Sequence, residues 1–172
     1  MSRPFIVTAV LPPDIQGWAE SLRRAHFPPE RNHLHAHVTL FHAFAPSLLD
    51  ELKDFLPGIV REFAAPTARI TGLMDLGKGT AIALESEELL RLRSLIAEHF
   101  HGTLTDQDLH EPRLHITIQN KVTKEEARAL QAALAPQVDP RGFAFPALDL
   151  HRYEGGPWSH EKRMPFRGKE RA

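Results

Sequence analysis

The chain contains no cysteine. This removes disulfides, thiolate nucleophiles and sulfur-ligated zinc from consideration, and it fits a reducing compartment. No apolar run approaches the roughly 20 residues that a membrane span needs. The start, Met1-Ser2-Arg3-Pro4-Phe5-Ile6-Val7, moves directly into strand-like sequence without a signal-peptide pattern. The protein therefore reads as cytoplasmic, with no membrane partner and no obligate protein partner written in the sequence. Charge excess is also missing. With 21 basic and 22 acidic residues the formal net charge is −1, which argues against a broad polyanion-binding surface but leaves room for one phosphate in a local pocket. No Pro-, Gly- or Ser-rich stretch is long enough to separate independent domains, so residues 1–172 read as one bilobal domain.

What is present is a short pattern in two copies. Leu34-His35-Ala36-His37-Val38-Thr39-Leu40-Phe41 and Leu114-His115-Ile116-Thr117-Ile118-Gln119 each place a histidine two residues before a threonine inside an alternating apolar run. On a strand, residues i and i+2 share a face. His37 projects with Thr39 and His115 with Thr117, while Val38, Leu40, Ile116 and Ile118 face a core. With 11 histidines and 9 threonines, random placement gives about 0.6 His-x-Thr triplets, so the triplet alone means little. A third copy, His101-Gly102-Thr103, closes a helix and lacks alternation, with Gly102 at the expected left-handed C-terminal position. Only the first two sit in matching contexts, each followed by a helix signature, and they read as halves of an internal repeat.

The remaining periodicity fills in that repeat. A strand is expected over residues 4–10, a helix from about 13 to 27, the first His-x-Thr strand to about 44, and a helix from 46 to 63 with a break at Pro57-Gly58. A hairpin over 67–84 turns at Gly77-Lys78-Gly79, and a helix spans 86–101. After a polar segment comes the second His-x-Thr strand, then a capping box at Thr123-Lys124-Glu125-Glu126 that opens a helix to about Leu134. One long strand over 143–153 and a short return over 163–166 complete the chain. The class is α+β, with two pseudo-twofold-related lobes, each a mainly antiparallel sheet with helices outside, meeting at a central cleft. Symmetry would then bring the two His-x-Thr strands face to face.

Two opposed imidazoles can act as acid and base on one phosphorus, because a histidine pKa of about 6.5 lets one be neutral and the other protonated. The threonine hydroxyls can donate to the non-bridging oxygens where charge develops. Such chemistry requires neither metal nor cofactor, and it suits a 2′,3′-cyclic phosphate, with one histidine deprotonating water and the other protonating the departing ribose oxygen.

His37-Val38-Thr39-Leu40 and His115-Ile116-Thr117-Ile118 resemble the paired HxTx motifs of the 2H phosphoesterase superfamily, which includes RNA 2′,3′-cyclic phosphodiesterases, also called 2′-5′ RNA ligases. The resemblance covers essentially the whole chain. It implies a metal-independent phosphodiesterase with His37, Thr39, His115 and Thr117 in the site, acting on an RNA end or a small cyclic nucleotide, with reverse 2′-5′ ligation left open.

Further candidates surround the motifs. Arg113 and Gln119 share the face of His115, and the Arg113 guanidinium can fork onto two phosphate oxygens. Phe41, Tyr153 and Trp158 can stack a base, although Phe41 on an apolar strand is more often core. From Arg152 onward six basic residues face three acidic ones. Two other function classes compete. One is a module that binds a nucleotide or RNA end without turnover. The other is a zinc hydrolase built on His33, His35 and His37, which would share one strand face.

Overall fold

The computed structural model describes residues 3–169. Eight strands form two four-stranded sheets in which every pairing is antiparallel. In chain order they are β1 (Phe5–Ala9), β2 (Val38–Phe44), β3 (Thr67–Asp75), β4 (Thr80–Glu85), β5 (His115–Gln119), β6 (Gly142–Ala144), β7 (Ala147–Tyr153) and β8 (Trp158–Pro165). The helices are α1 (Pro13–His26), α2 (Leu49–Glu62), α3 (Glu87–His99), α4 (Asp106–Leu109) and α5 (Lys124–Leu134).

The sheet orders, β2-β1-β7-β8 and β5-β4-β3-β6, carry the repeat. β1 corresponds to β4 and β2 to β5, while the third position in each sheet is filled from the other half. β3 follows the first repeat but pairs with β4; β7 follows the second but pairs with β1. Neither half of the chain completes a sheet by itself. The motif strands β2 and β5 are edge strands and lie against one another.

One apolar cluster draws on both sheets and includes the fully buried Val38, Leu40, Ile116 and Ile118, as the alternation requires. α2 stays continuous through Pro57. Although the proline lacks an N–H and crowds the preceding turn, Leu52, Leu56 and Val60 are completely buried and anchor the helix on both sides of it. The expected long strand over 143–153 is instead two strands in different sheets. Pro146 has no ladder donor, and beside it the buried Phe145 anchors the crossing from one sheet to the other. The last strand is longer than expected and pairs along β7 from Tyr153↔Trp158 to Ala147↔Pro165. The polar segment before the second motif contains α4, which places the buried Asp108 carboxylate on the backbone N–H groups of His42 and Ala43 at 2.9–3.0 Å.

The capping box at α5 is complete, with Thr123 Oγ1 accepting from the Glu126 N–H at 3.1 Å and the Glu126 carboxylate accepting from the Thr123 N–H. Thr123→Ala is expected to cost about 1 kcal/mol, read as a lower Tm with unchanged turnover.

Candidate active site

His37 immediately precedes β2 and His115 begins β5. Both imidazoles are held the same way. His37 Nδ1–H donates to the His35 carbonyl at 2.7 Å, and His115 Nδ1–H donates to the Arg113 carbonyl at 2.6 Å. A carbonyl oxygen only accepts, so the neutral ring carries its proton on Nδ1, and Nε2 is left with a free lone pair on the opposite edge. In both motifs the residue two positions before the histidine thus fixes its tautomer. Thr39 and Thr117 follow on the same strands, half-buried.

Burial pushes the His37 pKa from 6.5 down to about 4; the His35 carbonyl opposes that shift, and the positive charges of Arg23, His151 and His115 add to it. Near neutral pH His37 is uncharged. The linkage to stability has a definite sign. The unfolded chain takes up the proton first as pH falls through 6.5, so this contribution is complete above 6.5 and is lost as the pH approaches 4. Allowing for partial exposure of the ring, the loss is about 2 kcal/mol. His37→Asn is expected to remove it, so that wild type loses about 5 °C more in Tm than the variant between pH 7 and pH 4. Parallel Tm curves would refute the assignment.

A cavity of about 520 Å³ opens beside His37, with Thr8, His151, Trp158, His160 and Arg163 among its lining. The Trp158 ring packs between two imidazoles, 4.7 Å from His37 and 5.2 Å from His151. Thr8 lies directly opposite Thr39 on one side and Asp149 on the other, and Asp149 lies opposite Arg163. One polar row therefore crosses all four strands, from the motif threonine to the sheet edge. Asp149 accepts a two-pronged contact from Arg163 at 2.8–2.9 Å and a third bond from His160 at 3.0 Å. Burial works to raise its carboxyl pKa, but these partners outweigh it and hold the group below its ordinary value. His151, kept low chiefly by burial, shares a hydrogen bond with Thr8 Oγ1 at 3.1 Å. The signal for this wall was Asp149-x-His151-x-Tyr153, polar residues at alternate positions of an otherwise apolar strand.

Several expected contacts fall elsewhere. Phe41 is fully buried in the core, 4.8 Å from Phe44. Gln119 is buried and accepts from Thr80 Oγ1 at 3.0 Å. The cause is the same in both motifs. Thr8 faces Thr39 while Val7 faces Phe41, and Ala81 faces Thr117 while Thr80 faces Gln119. Each strand thus carries one extra residue, Leu40 or Ile118, just after its threonine. Such a bulge reverses the alternation, so the next side chain turns into the core. Arg113 is exposed, contributing its carbonyl to His115. Tyr153 is 38% exposed at the end of β7, outside the cavity lining. His33 and His35 are exposed in a segment preceding β2, so they share no strand face with His37. Among the described residues no three His, Cys, Asp or Glu side chains are grouped to hold a metal. No described helix is long and apolar enough to cross a membrane.

The profile of the 2′-5′ RNA ligase superfamily matches residues 11–157, a span that contains both motifs. The chain belongs to that superfamily. No curated protein matches it in sequence. Among solved structures it is similar to TT0787 of Thermus thermophilus, with a TM-score of 0.63 and 18% identity over 99% of this chain and 100% of that one. It is also similar to Escherichia coli LigT complexed with NADP+, with a TM-score of 0.61 and 16% identity over 97% of this chain and 99% of that one. LigT complexed with 3′-AMP gives 0.56 and 16% over 95% and 98%. These neighbours share the fold of two sheets, and within the superfamily the chain is an enzyme of phosphodiester bonds.

Proposed function

We propose that the protein hydrolyses a 2′,3′-cyclic phosphodiester on an RNA end or nucleotide by metal-independent two-histidine catalysis, with His37 and His115 as the proton-transferring groups. The observation that carries this reading is the matched tautomer: two imidazoles on abutting motif strands, each with Nδ1 tied to a main-chain carbonyl and Nε2 free. Thr39 and Thr117 are assigned to the non-bridging phosphoryl oxygens, and the exposed Arg113, two residues before His115, to a further phosphate oxygen. Trp158 offers a stacking face for the nucleoside. That E. coli LigT was solved with 3′-AMP and with NADP+ supports a nucleotide in such a cleft.

In the reaction one Nε2 takes a proton from water as the water oxygen bonds to phosphorus. The bond from phosphorus to one ribose oxygen breaks, and the second imidazolium gives that oxygen a proton. A phosphomonoester and a free ribose hydroxyl result, and proton exchange with solvent resets the pair. Because burial keeps His37 uncharged near neutral pH, His37 is assigned the proton taken from water and His115 the proton given to the ribose oxygen. With a ribose 5′-hydroxyl attacking in place of water and the 3′ oxygen departing, the same steps make a 2′-5′ bond.

The test is hydrolysis of a short RNA ending in 2′,3′-cyclic phosphate with EDTA present. The expected result is undiminished turnover to a single phosphomonoester. Activity abolished by EDTA would overturn the metal-free mechanism, and tight product binding without turnover of any phosphodiester would replace the enzyme with a binding module.

A further inference from the structure

Two arginines of the core have no part in the chemistry above. Arg23 on α1 and Arg93 on α3 are 3% and 4% exposed. The helices correspond in the repeat, and each guanidinium reaches into the motif strand of the opposite repeat. Arg23 Nη1 donates to the Thr117 carbonyl at 2.7 Å and its Nε to Asn32 Oδ1 at 3.1 Å. Arg93 Nε donates to the Leu40 carbonyl at 3.2 Å and its Nη2 to the Asp108 carbonyl. Each also lies over an aromatic face, Arg23 4.3 Å from the Phe27 centroid and Arg93 4.2 Å from that of Phe41.

Neither arginine forms a salt bridge with a described carboxylate. Glu20 favours the charge of Arg23, and Asp108 with Glu111 that of Arg93, through space only. A buried cation without an ion-pair partner is costly, and carbonyl dipoles and ring faces offset it in part. Holding a carbonyl needs only a neutral donor, so the clasp by itself does not explain two charges at the seam between β2 and β5. An anion lying between the motif strands does.

We propose that Arg23 and Arg93 are positioning residues of the site, each clasping the opposite repeat's motif strand and together supplying the buried positive charge that a phosphoryl group between the strands completes. The inference rests on the phosphodiesterase reading above. Arg23 already acts across the seam, since its charge is one of those that lower His37.

The experiment compares Arg23→Met, which keeps bulk and loses charge, with Arg23→Lys, which keeps charge and loses the fork, and treats Arg93 in the same way. Inorganic phosphate is titrated into the full chain while the His37 and His115 imidazoles are followed by NMR. Each Met variant is expected to bind phosphate about tenfold more weakly, and each Lys variant within about twofold of wild type. In Arg23→Met the His37 titration is expected to move up towards the ordinary histidine value, and Arg23→Lys restores it; a merely structural role would lower Tm and leave that titration in place. Met and Lys variants that bind phosphate equally well would overturn the inference. If the Met variants fail to fold, a tenfold loss in the charged Lys variants would overturn it, and retention supports it. Wild type that binds no phosphate at these imidazoles would overturn the phosphodiesterase reading itself, whereas binding that survives in Arg23→Met and Arg93→Met overturns only the role of the arginines.

Discussion

His37→Ala and His115→Ala are each expected to hydrolyse a 2′,3′-cyclic phosphate about 10²–10⁴ times more slowly than wild type, a loss of about 3–5 kcal/mol in transition-state stabilisation. The equivalence of the two motifs makes the expectation symmetrical: each imidazole has one nitrogen tied to the main chain and one free. In the proposed reaction the proton taken from water and the proton given to the ribose oxygen belong to one displacement, so losing either transfer would stall the same transition state. The double variant is accordingly expected to fall well short of the product of the two single losses. Stability will not move in parallel. Removing His37 also removes a ring that burial keeps neutral, which makes the variant more acid-resistant as it becomes inactive. Near-wild-type kcat/KM in either folded variant would end the two-histidine mechanism.

The placement of the two His-x-Thr segments was open to reading because they obey a period of two. In each motif one face is polar and one apolar, and Val38, Leu40, Ile116 and Ile118 are buried as that period demands. The capping box of α5 and the left-handed Gly102 were equally local and equally plain. What the pattern could not carry was any break in the period. A bulge after each threonine depends on pairing with a neighbouring strand, β1 or β4, and those partners are far away in sequence. A strict period of two therefore puts Gln119 on the face of Thr117 and leaves Phe41 open between base stacking and core, whereas the bulges turn both side chains inward. The exchange of β3 and β7 between sheets is invisible for the same reason, since a strand's own alternation does not say which sheet it joins. Arg23 and Arg93 sit on helices whose polar residues normally face solvent, and only the opposed motif strand, contributed by the other repeat, turns them inward. The wall of Asp149, His151, His160 and Arg163 lay within reach of the alternation rule, but its meaning depends on β7 crossing to lie beside β1.

Phe41→Ala is expected to destabilise the protein by about 3–5 kcal/mol, the range for emptying a fully buried aromatic site. The ring has no exposed surface, touches Phe44 and lies under the Arg93 guanidinium, so the truncated core loses both packing and a cation–π partner. Phe41→Leu retains most of the volume. It is expected to cost about 1–2 kcal/mol and to leave kcat/KM near wild type at a temperature where it is folded. Trp158→Ala should behave in the opposite way. Its ring is half-buried against His37 and His151 rather than in the core, so stability changes little, while loss of base stacking raises KM about tenfold. Water admitted beside His37 also lets that imidazole titrate above its present value of about 4. Measuring Tm and KM for both positions separates the two kinds of aromatic. A large KM increase in Phe41→Leu with an unchanged one in Trp158→Ala would mean that Phe41 meets the substrate, and with it that the bulge after Thr39 is not the register the chain adopts.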